Sequence, residues 1–166
     1  MTDSPAATPF DARAFRDALG CFATGVCVAS TRDGAGLPVG VTVNSFTSVS
    51  LDPPLVLFCL DRAADSLSAF LAADGFAISV LAADQRGVSA NFAQRPTADR
   101  WAGIAAETLA TGAPVIPGAL AALDCRRHAV HDGGDHVILV GRVVALRSRA
   151  DGRPLLYVRG AYGDLA

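Results

Sequence analysis

Lysine is missing altogether: all fourteen basic residues are arginine, set against sixteen acidic ones for a formal net charge of −2. That balance lacks the basic excess of general nucleic-acid binding, so no nucleic-acid partner is expected, although single arginines can still grip one phosphate. Long apolar runs are missing too. The longest stretches, such as Leu55 to Leu60, fall far short of the roughly 18 residues that span a bilayer, and suit buried strands instead. The start, MTDSPAATPFDARAF, has neither a basic n-region nor an apolar h-region, which predicts no membrane association and a cytoplasmic location. Cysteine is sparse, and Cys21, Cys27, Cys59 and Cys125 form no CxxC pair of the kind zinc sites or thioredoxin-type chemistry use. Lying in apolar segments, all four read as buried reduced thiols. No GxGxxG follows a strand and there is no GxSxG, so neither a Rossmann nucleotide site nor an esterase-type nucleophile is indicated.

What is present is apolar. Hydrophobic residues make up 51% and charged residues 18% of the chain, against about 45–50% and 25% in an ordinary soluble domain. The excess predicts that a second subunit covers part of the surface. The 166 residues fit one domain, with residues 1–9 as a loose lead-in and residues 10–166 as the folded unit.

Asp11 is placed to cap a helix whose Phe15, Leu19 and Phe22 share one face, ending near Thr24-Gly25. Short strand-like runs follow: Val26 to Thr31, Val39 to Val43, Phe46 to Ser50, and, after the Asp52-Pro53-Pro54 turn, Leu55 to Leu60. Asp65 is placed to cap a helix through Ala73 that Gly75 stops. Phe76 to Leu81 resumes the strand pattern, and a second helix opens at Asp84. Residues 94–118 show no clear period and read as loops with short helical pieces. Leu120 to His131 and His136 to Arg147 form two runs joined by a Gly-Gly hairpin, and Pro154 to Val158 is a last strand. Many short strands and few helices predict a mainly β, antiparallel barrel or sandwich.

Candidate chemistry begins with Val39 to Ser66, where Thr, Ser and Asn alternate with apolar residues. Such a wall suits a flavin, whose ring is flat and apolar on its faces but needs donors and acceptors along one edge. Backbone N–H groups around Asn44, Ser45 and Phe46 are candidates for that edge, with Thr47 and Ser48 adding hydroxyls. The bland alternative is that these are ordinary strand and strand-end residues. Ser66 at a helix start suits a phosphate, with Arg62 adding charge, or is merely a cap beside a solvated arginine. His136, closing GGDH, is placed to hydrogen-bond a ligand carboxamide or exchange a proton, or is simply exposed. His128, His131 and His136 with Asp132 and Asp135 invite a metal reading, but positions 128 and 131 differ by an odd number and face opposite sides of a regular strand. Arg95, Arg100 and Trp101 near Asn91-Phe92 either approach a nucleotide or pack their own loop.

The ordered motifs FRDALGCFATGVCVAST, GVTVNSFTSVSLDPPLVLFCLDR, FAISVL, VSANFA, GDHVILVGRV and PLLYVRGAY resemble the short flavin reductases of two-component monooxygenases, over roughly residues 13 to 163. The likeness is greatest to those of aromatic hydroxylation and of the actinorhodin pathway. It implies an FMN-binding split β-barrel with Greek-key connections and a few short helices, working as a homodimer. It also implies NADH or NADPH as co-substrate, FMN or FAD as the flavin, and a separate monooxygenase that receives the reduced flavin. Carried over by position, Val43, Asn44, Ser45 and Thr47 match the segment that binds the flavin ring. Cys59, Leu60, Asp61 and Ser66 match the part holding ribityl and phosphate, and Asn91, Phe92 and Ala93 a further flavin-contacting segment. His136 matches a histidine beside the nicotinamide, with Tyr157 lining the same region. The chain departs from commoner versions at Cys21, Cys27 and Asn44. Two rivals use a similar barrel: a non-catalytic flavin- or haem-binding module, and a pyridoxal-phosphate-related oxidase, which the absence of lysine disfavours.

Overall fold

The computed structural model describes residues 9–165; apart from Pro9, the expected lead-in lies outside them. Helix α1 (Ala12–Gly20) starts where the cap predicts, with the Ala14 N–H donating to the Asp11 carboxylate at 2.7 Å. It ends at Gly20 rather than near Gly25, because Thr24–Gly25 is claimed as strand β1 by pairing with Tyr157 and Leu156. No residue of α1 is buried: Phe15 and Leu19 are 50% and 58% exposed, and Phe22 just beyond is 77% exposed.

The body is an antiparallel sheet of seven strands. Its hairpins are β2 (Cys27–Arg32) with β3 (Pro38–Val43), β4 (Thr47–Leu51) with β5 (Pro54–Asp61), and, beyond β6 (Gly75–Val80), the long arms β9 (Ala121–Gly133) and β10 (His136–Ser148). Between them lies the small ladder β7 (Glu107–Thr108) with β8 (Pro114–Val115). The order β3-β2-β6-β9-β10-β5-β4 separates β5 from β6, its successor in the chain, by two strands, a Greek-key type of crossing. The edge strands β3 and β4 do not pair, which leaves the barrel split there. The expected mainly β split barrel is therefore the observed one.

Alternation on β5 turns Val56, Phe58 and Leu60 inward, where Phe58 meets Phe70 and Phe76 edge to face at 5.5 and 5.1 Å. A second core lies beneath helix α3 (Arg86–Gln94), with Val28, Leu81, Phe92, Trp101 and Ile116. Trp101 is buried edge-on to Phe92 at 4.9 Å, and Arg100 donates to the Gly40 carbonyl at 2.8 Å. These contacts tie the loop to α3 and β3, while Arg100 Nε donates within it to the Arg95 carbonyl at 3.0 Å.

Other expectations need correcting. Helix α2 (Leu67–Ala72) has Ser66, not Asp65, at its N-cap position, and no side chain caps it. The Leu67 N–H is already taken by the Ala64 carbonyl at 2.9 Å. The helix expected from Asp84 opens as a 3-10 turn, Ala83–Gln85, that leads into α3. Beyond β11 (Leu156–Val158) the chain turns back as β12 (Ala161–Gly163), a strand the sequence reading omitted. Finally, Val140 pairs with Ala129 but Gly141 with Arg127, so His128 is the extra residue of a β-bulge. Simple alternation between positions 128 and 131 fails there. Among the described residues no three His, Cys, Asp or Glu side chains converge on a metal position.

Candidate functional site

The segment Asn44–Phe46 bridges the split between β3 and β4, so its backbone N–H groups belong to neither ladder. Ser45 fixes its course. The Ser45 hydroxyl accepts from the Cys59 N–H at 2.9 Å and donates to the Cys59 carbonyl at 3.1 Å, extending the β4–β5 contact past Thr47 and Leu57. Asn44 to Thr47 and Phe22 to Gly25 enclose a groove of about 400 Å³. Thr24 Oγ1 is buried beside it with no hydrogen-bond partner. A buried hydroxyl left unpaired costs about 1–3 kcal/mol, so a ligand edge that meets it is stabilising.

A second groove, of about 510 Å³, adjoins the first and shares Asn44 with it. The end of β3 (Thr42, Val43), one side of α3 (Arg86, Ser89, Ala93, Gln94) and the β11–β12 hairpin (Tyr157, Tyr162) line it. Thr42 Oγ1 donates to the Ser89 carbonyl at 2.7 Å and holds α3 on β3, and the Ser89 and Tyr162 hydroxyls lie 2.8 Å apart. The two tyrosine rings meet edge to face at 5.6 Å, and the Arg86 guanidinium sits 4.5 Å over the Tyr162 ring.

His136 opens β10 directly opposite Asp61 on β5. Its hairpin turns through Gly134 and Asp135, with Gly134 at φ +78, a left-handed conformation that glycine adopts freely. His136 Nδ1 lies 2.7 Å from the Asp135 carboxylate. Hydrogen bonding and charge from His136 hold the Asp135 carboxyl below its ordinary range. A carboxylate at Nδ1 favours a proton there, so Nε2 is the ring's acceptor whenever the ring is uncharged. Arg62 ties the hairpin down: its backbone N–H reaches the Asp135 carbonyl at 3.0 Å, its Nε the Gly134 carbonyl at 2.8 Å, and its guanidinium pairs with Asp132.

The structure thus gathers Val43, Asn44, Ala93 and Tyr157 around one groove, Asn44, Ser45, Phe46 and Thr47 around its neighbour, and His136 with Asp61 on adjoining strands. Asp61 accepts from the Ala63 N–H at 2.8 Å, and Cys59 is half-buried behind Ser45. Ser66 is only 1% exposed and its hydroxyl has no partner. Leu60 and Phe92 point into the two cores, and Asn91 is half-buried on α3. Sequence reasoning missed Arg86, Ser89 and Tyr162. The available signal was Arg159-Gly160: both residues have positive φ, +50 and +77, as a two-residue hairpin turn demands, but Arg-Gly lacks the Asn-Gly or Asp-Gly signature.

Residues 19–166 match the flavin reductase-like domain family. The FMN reductase (NADH) SmoA of Agrobacterium fabrum is 48% identical over 153 residues, which cover 92% of this chain and 86% of SmoA. The flavin-dependent monooxygenase reductase subunit HsaB of Rhodococcus jostii is 43% identical, with 95% and 80% of the two chains covered. The solved structure of the NADH:FAD oxidoreductase SgcE6 of Streptomyces globisporus superposes with a TM-score of 0.89 at 36% identity, covering 99% of each chain. Other curated relatives are longer: the chain spans 66% of one and 49% of another, each 46% identical to it. A split barrel whose open edge carries a polar wall, matched nearly end to end by flavin-reducing enzymes, belongs to the flavin reductase-like domain family. The protein is an oxidoreductase of that family, an NAD(P)H-dependent flavin reductase.

Proposed function

We propose that the chain works in the cytoplasm as a homodimer of one domain each, residues 10–166. It passes hydride from NADH or NADPH to FMN or FAD and supplies the reduced flavin to a flavin-dependent monooxygenase. Among the described residues no helix is long and apolar enough to cross a membrane. The observation that carries the reading is the wall at Asn44 to Thr47, with free backbone donors and the unpaired Thr24 hydroxyl beside it.

These groups fit the edge of a flavin ring. Bound flavin supplies an electron-accepting ring, and the chain's own work is positioning and electrostatic support. Val43 to Thr47 hold the ring, Ser45 acting through the rigidity it gives the segment. Cys59, Leu60 and Asp61 offer backbone groups to the ribityl chain, and the buried Ser66 hydroxyl awaits a phosphate oxygen. Arg62 serves indirectly, by fixing the hairpin that presents His136. Asn91, Phe92 and Ala93 contribute through α3, with the Phe92 ring as its anchor in the core and Tyr157 facing it across the groove. His136 Nε2 accepts from the nicotinamide carboxamide and so orients its ring.

Steady-state NAD(P)H oxidation with and without added flavin tests this reading. Flavin-dependent turnover is the expected result, and tight flavin binding without turnover would put a binding module in its place. His136→Ala removes one hydrogen bond worth about 0.5–1.5 kcal/mol, which lowers kcat/KM for the nicotinamide roughly 2- to 10-fold. Flavin affinity stays within twofold, and equal loss of both overturns the role given to His136.

A further inference from the structure

At the end of β2 remote from the flavin wall, the sheet carries a row of arginines. Arg126 on β9 lies directly opposite Gly75 on β6 and Arg142 on β10. Continuing the Ser30–Ala77 register sets Arg32, the last residue of β2, beside Gly75. Residues paired in this way share a face, and all three arginines are exposed. Like charges directly opposite each other destabilise a sheet. Among the described residues nothing offsets the Arg126–Arg142 pair: neither side chain meets a carboxylate or donates a hydrogen bond, whereas Arg62 and Arg147 each face an acid.

Beside Gly75 the row opens into a pocket of about 270 Å³, flanked by Arg32 and Arg126 and completed by Asp74, Thr111 and Gly112. Its floor is backbone, since a Cβ at Gly75 would lie 2.6 Å from the Cys125 carbonyl oxygen. Arg32 is held in place: Nε donates to the Gly112 carbonyl and Nη1 to the Gly36 carbonyl, each at 2.9 Å, which leaves Nη2 uncommitted. The Thr111 N–H donates to the buried Asp124 carboxylate at 2.6 Å and the Ala113 N–H to the Thr111 hydroxyl at 3.2 Å. The Gly112 N–H between them has no acceptor among the described residues. Fixed guanidinium donors beside a spare backbone N–H suit a phosphate group, which arginine grips bidentately.

We propose that this pocket is an oxyanion site that takes a phosphate group on Arg126, the Nη2 of Arg32 and the Gly112 N–H, with Arg142 adding charge from the next strand. Size sets the class of ligand. At about 270 Å³ the pocket falls below the range of about 300–1,000 Å³ usual for small-molecule sites, so it admits a compact anion and not a dinucleotide. Charge sets the sign, because three arginines outnumber Asp74 at the rim and Asp124 enclosed behind Thr111. Position separates it from the flavin: Arg32 lies roughly 16 Å along β2 from Cys27, the residue that pairs with Val43. Phosphate bound there ties β2, β6, β9 and the 110–113 loop together and stabilises the fold without touching the flavin.

The test uses the full chain saturated with FMN, so that phosphate contacts of the flavin itself are already filled. Inorganic phosphate, compared with sodium chloride at equal ionic strength, is expected to bind at one site per chain in calorimetry and to raise the melting temperature with its concentration. Arg126→Gln is expected to raise the phosphate dissociation constant about 10-fold or more, the loss of a hydrogen bond to a charged group. In chloride alone that variant melts no lower than the unaltered chain, because it loses a like-charged neighbour, and its NADH-dependent FMN reduction is unchanged. Arg13→Gln, an exposed arginine on α1, leaves phosphate binding as it was. Glycerol phosphate separates the sources: binding as tight as that of inorganic phosphate assigns the site to a phosphate ester, and binding of inorganic phosphate alone assigns it to the free ion. Stabilisation no greater than that given by chloride, phosphate binding that survives Arg126→Gln, or equal weakening by Arg13→Gln overturns the site.

Discussion

Four thiols of one chemistry are set to different reactivities by where the chain places them. Burial pushes the Cys27 thiol up to about 12, and burial with the neighbouring Asp124 charge does the same for Cys125. At pH 8 both are protonated and out of reach, since the thiolate is the nucleophile. Cys21, expected to be buried, is exposed at the end of α1, and Cys59 is half-buried. Iodoacetamide at pH 8 followed by peptide mass spectrometry is expected to modify Cys21 first, with Cys27 and Cys125 reacting only in denaturant; their rapid labelling in the native protein would contradict the burial. The same shifts set a pH dependence. Between the ordinary value of 9.0 and about 12 the folded state keeps protons that the unfolded state releases. Stability contributed by these thiols is therefore full below pH 9 and lost as pH rises towards 12, so the melting temperature falls over that range. Neighbouring apolar residues announced the burial of Cys27 and Cys125. They misled at Cys21, because the helix it follows buries none of its own apolar face.

At the scale of elements, the site depends on how closely α3 rides on β3. A Cβ added at Gly40 would lie 2.6 Å from the fully buried Phe92 ring. Gly40→Ala is expected to destabilise the fold by about 1–3 kcal/mol, the usual cost of overpacking a core. It should also weaken flavin binding, because α3 carries Asn91 and Ala93. Denaturant melts and flavin titration check both effects, and unchanged stability would mean that Phe92 has room the structure does not show. The strands were legible because short apolar runs mark β5 and β6, and turn chemistry joins β9 to β10. What lies beyond local pattern was not legible. The Ser45–Cys59 bridge joins residues 14 apart, the His128 bulge is a matter of pairing, and β12 depends on a turn with an unusual residue pair. The wall at Asn44 to Thr47 was visible as composition, while the second groove required the C-terminal hairpin to be brought against α3.

For the whole molecule, the unanswered surface is α1. A nine-residue helix is marginal on its own, and this one is tied back chiefly where the Arg159 N–H meets the Gly20 carbonyl at 2.7 Å. Its stripe of Phe15, Leu19 and Phe22 faces outward, although fully burying such a side chain is worth about 1.5–3 kcal/mol. A second copy that covers the stripe would supply that burial and account for the high apolar content. It would also bear on function, because Phe22 borders the groove at Asn44 to Thr47, so the partner would help shield the flavin wall from water. Light scattering is expected to give about twice the 17.0 kDa of one chain. Leu19→Asp changes an exposed position outside both grooves, so a single chain tolerates it, whereas a dimer closed over the stripe would have to bury an unpaired carboxylate. The variant should therefore run at the mass of one chain and bind flavin more weakly, with its circular dichroism spectrum retained. A dimer that survives the substitution places the interface elsewhere on the barrel, and an unaltered chain at the mass of a monomer removes the homodimer from the proposal.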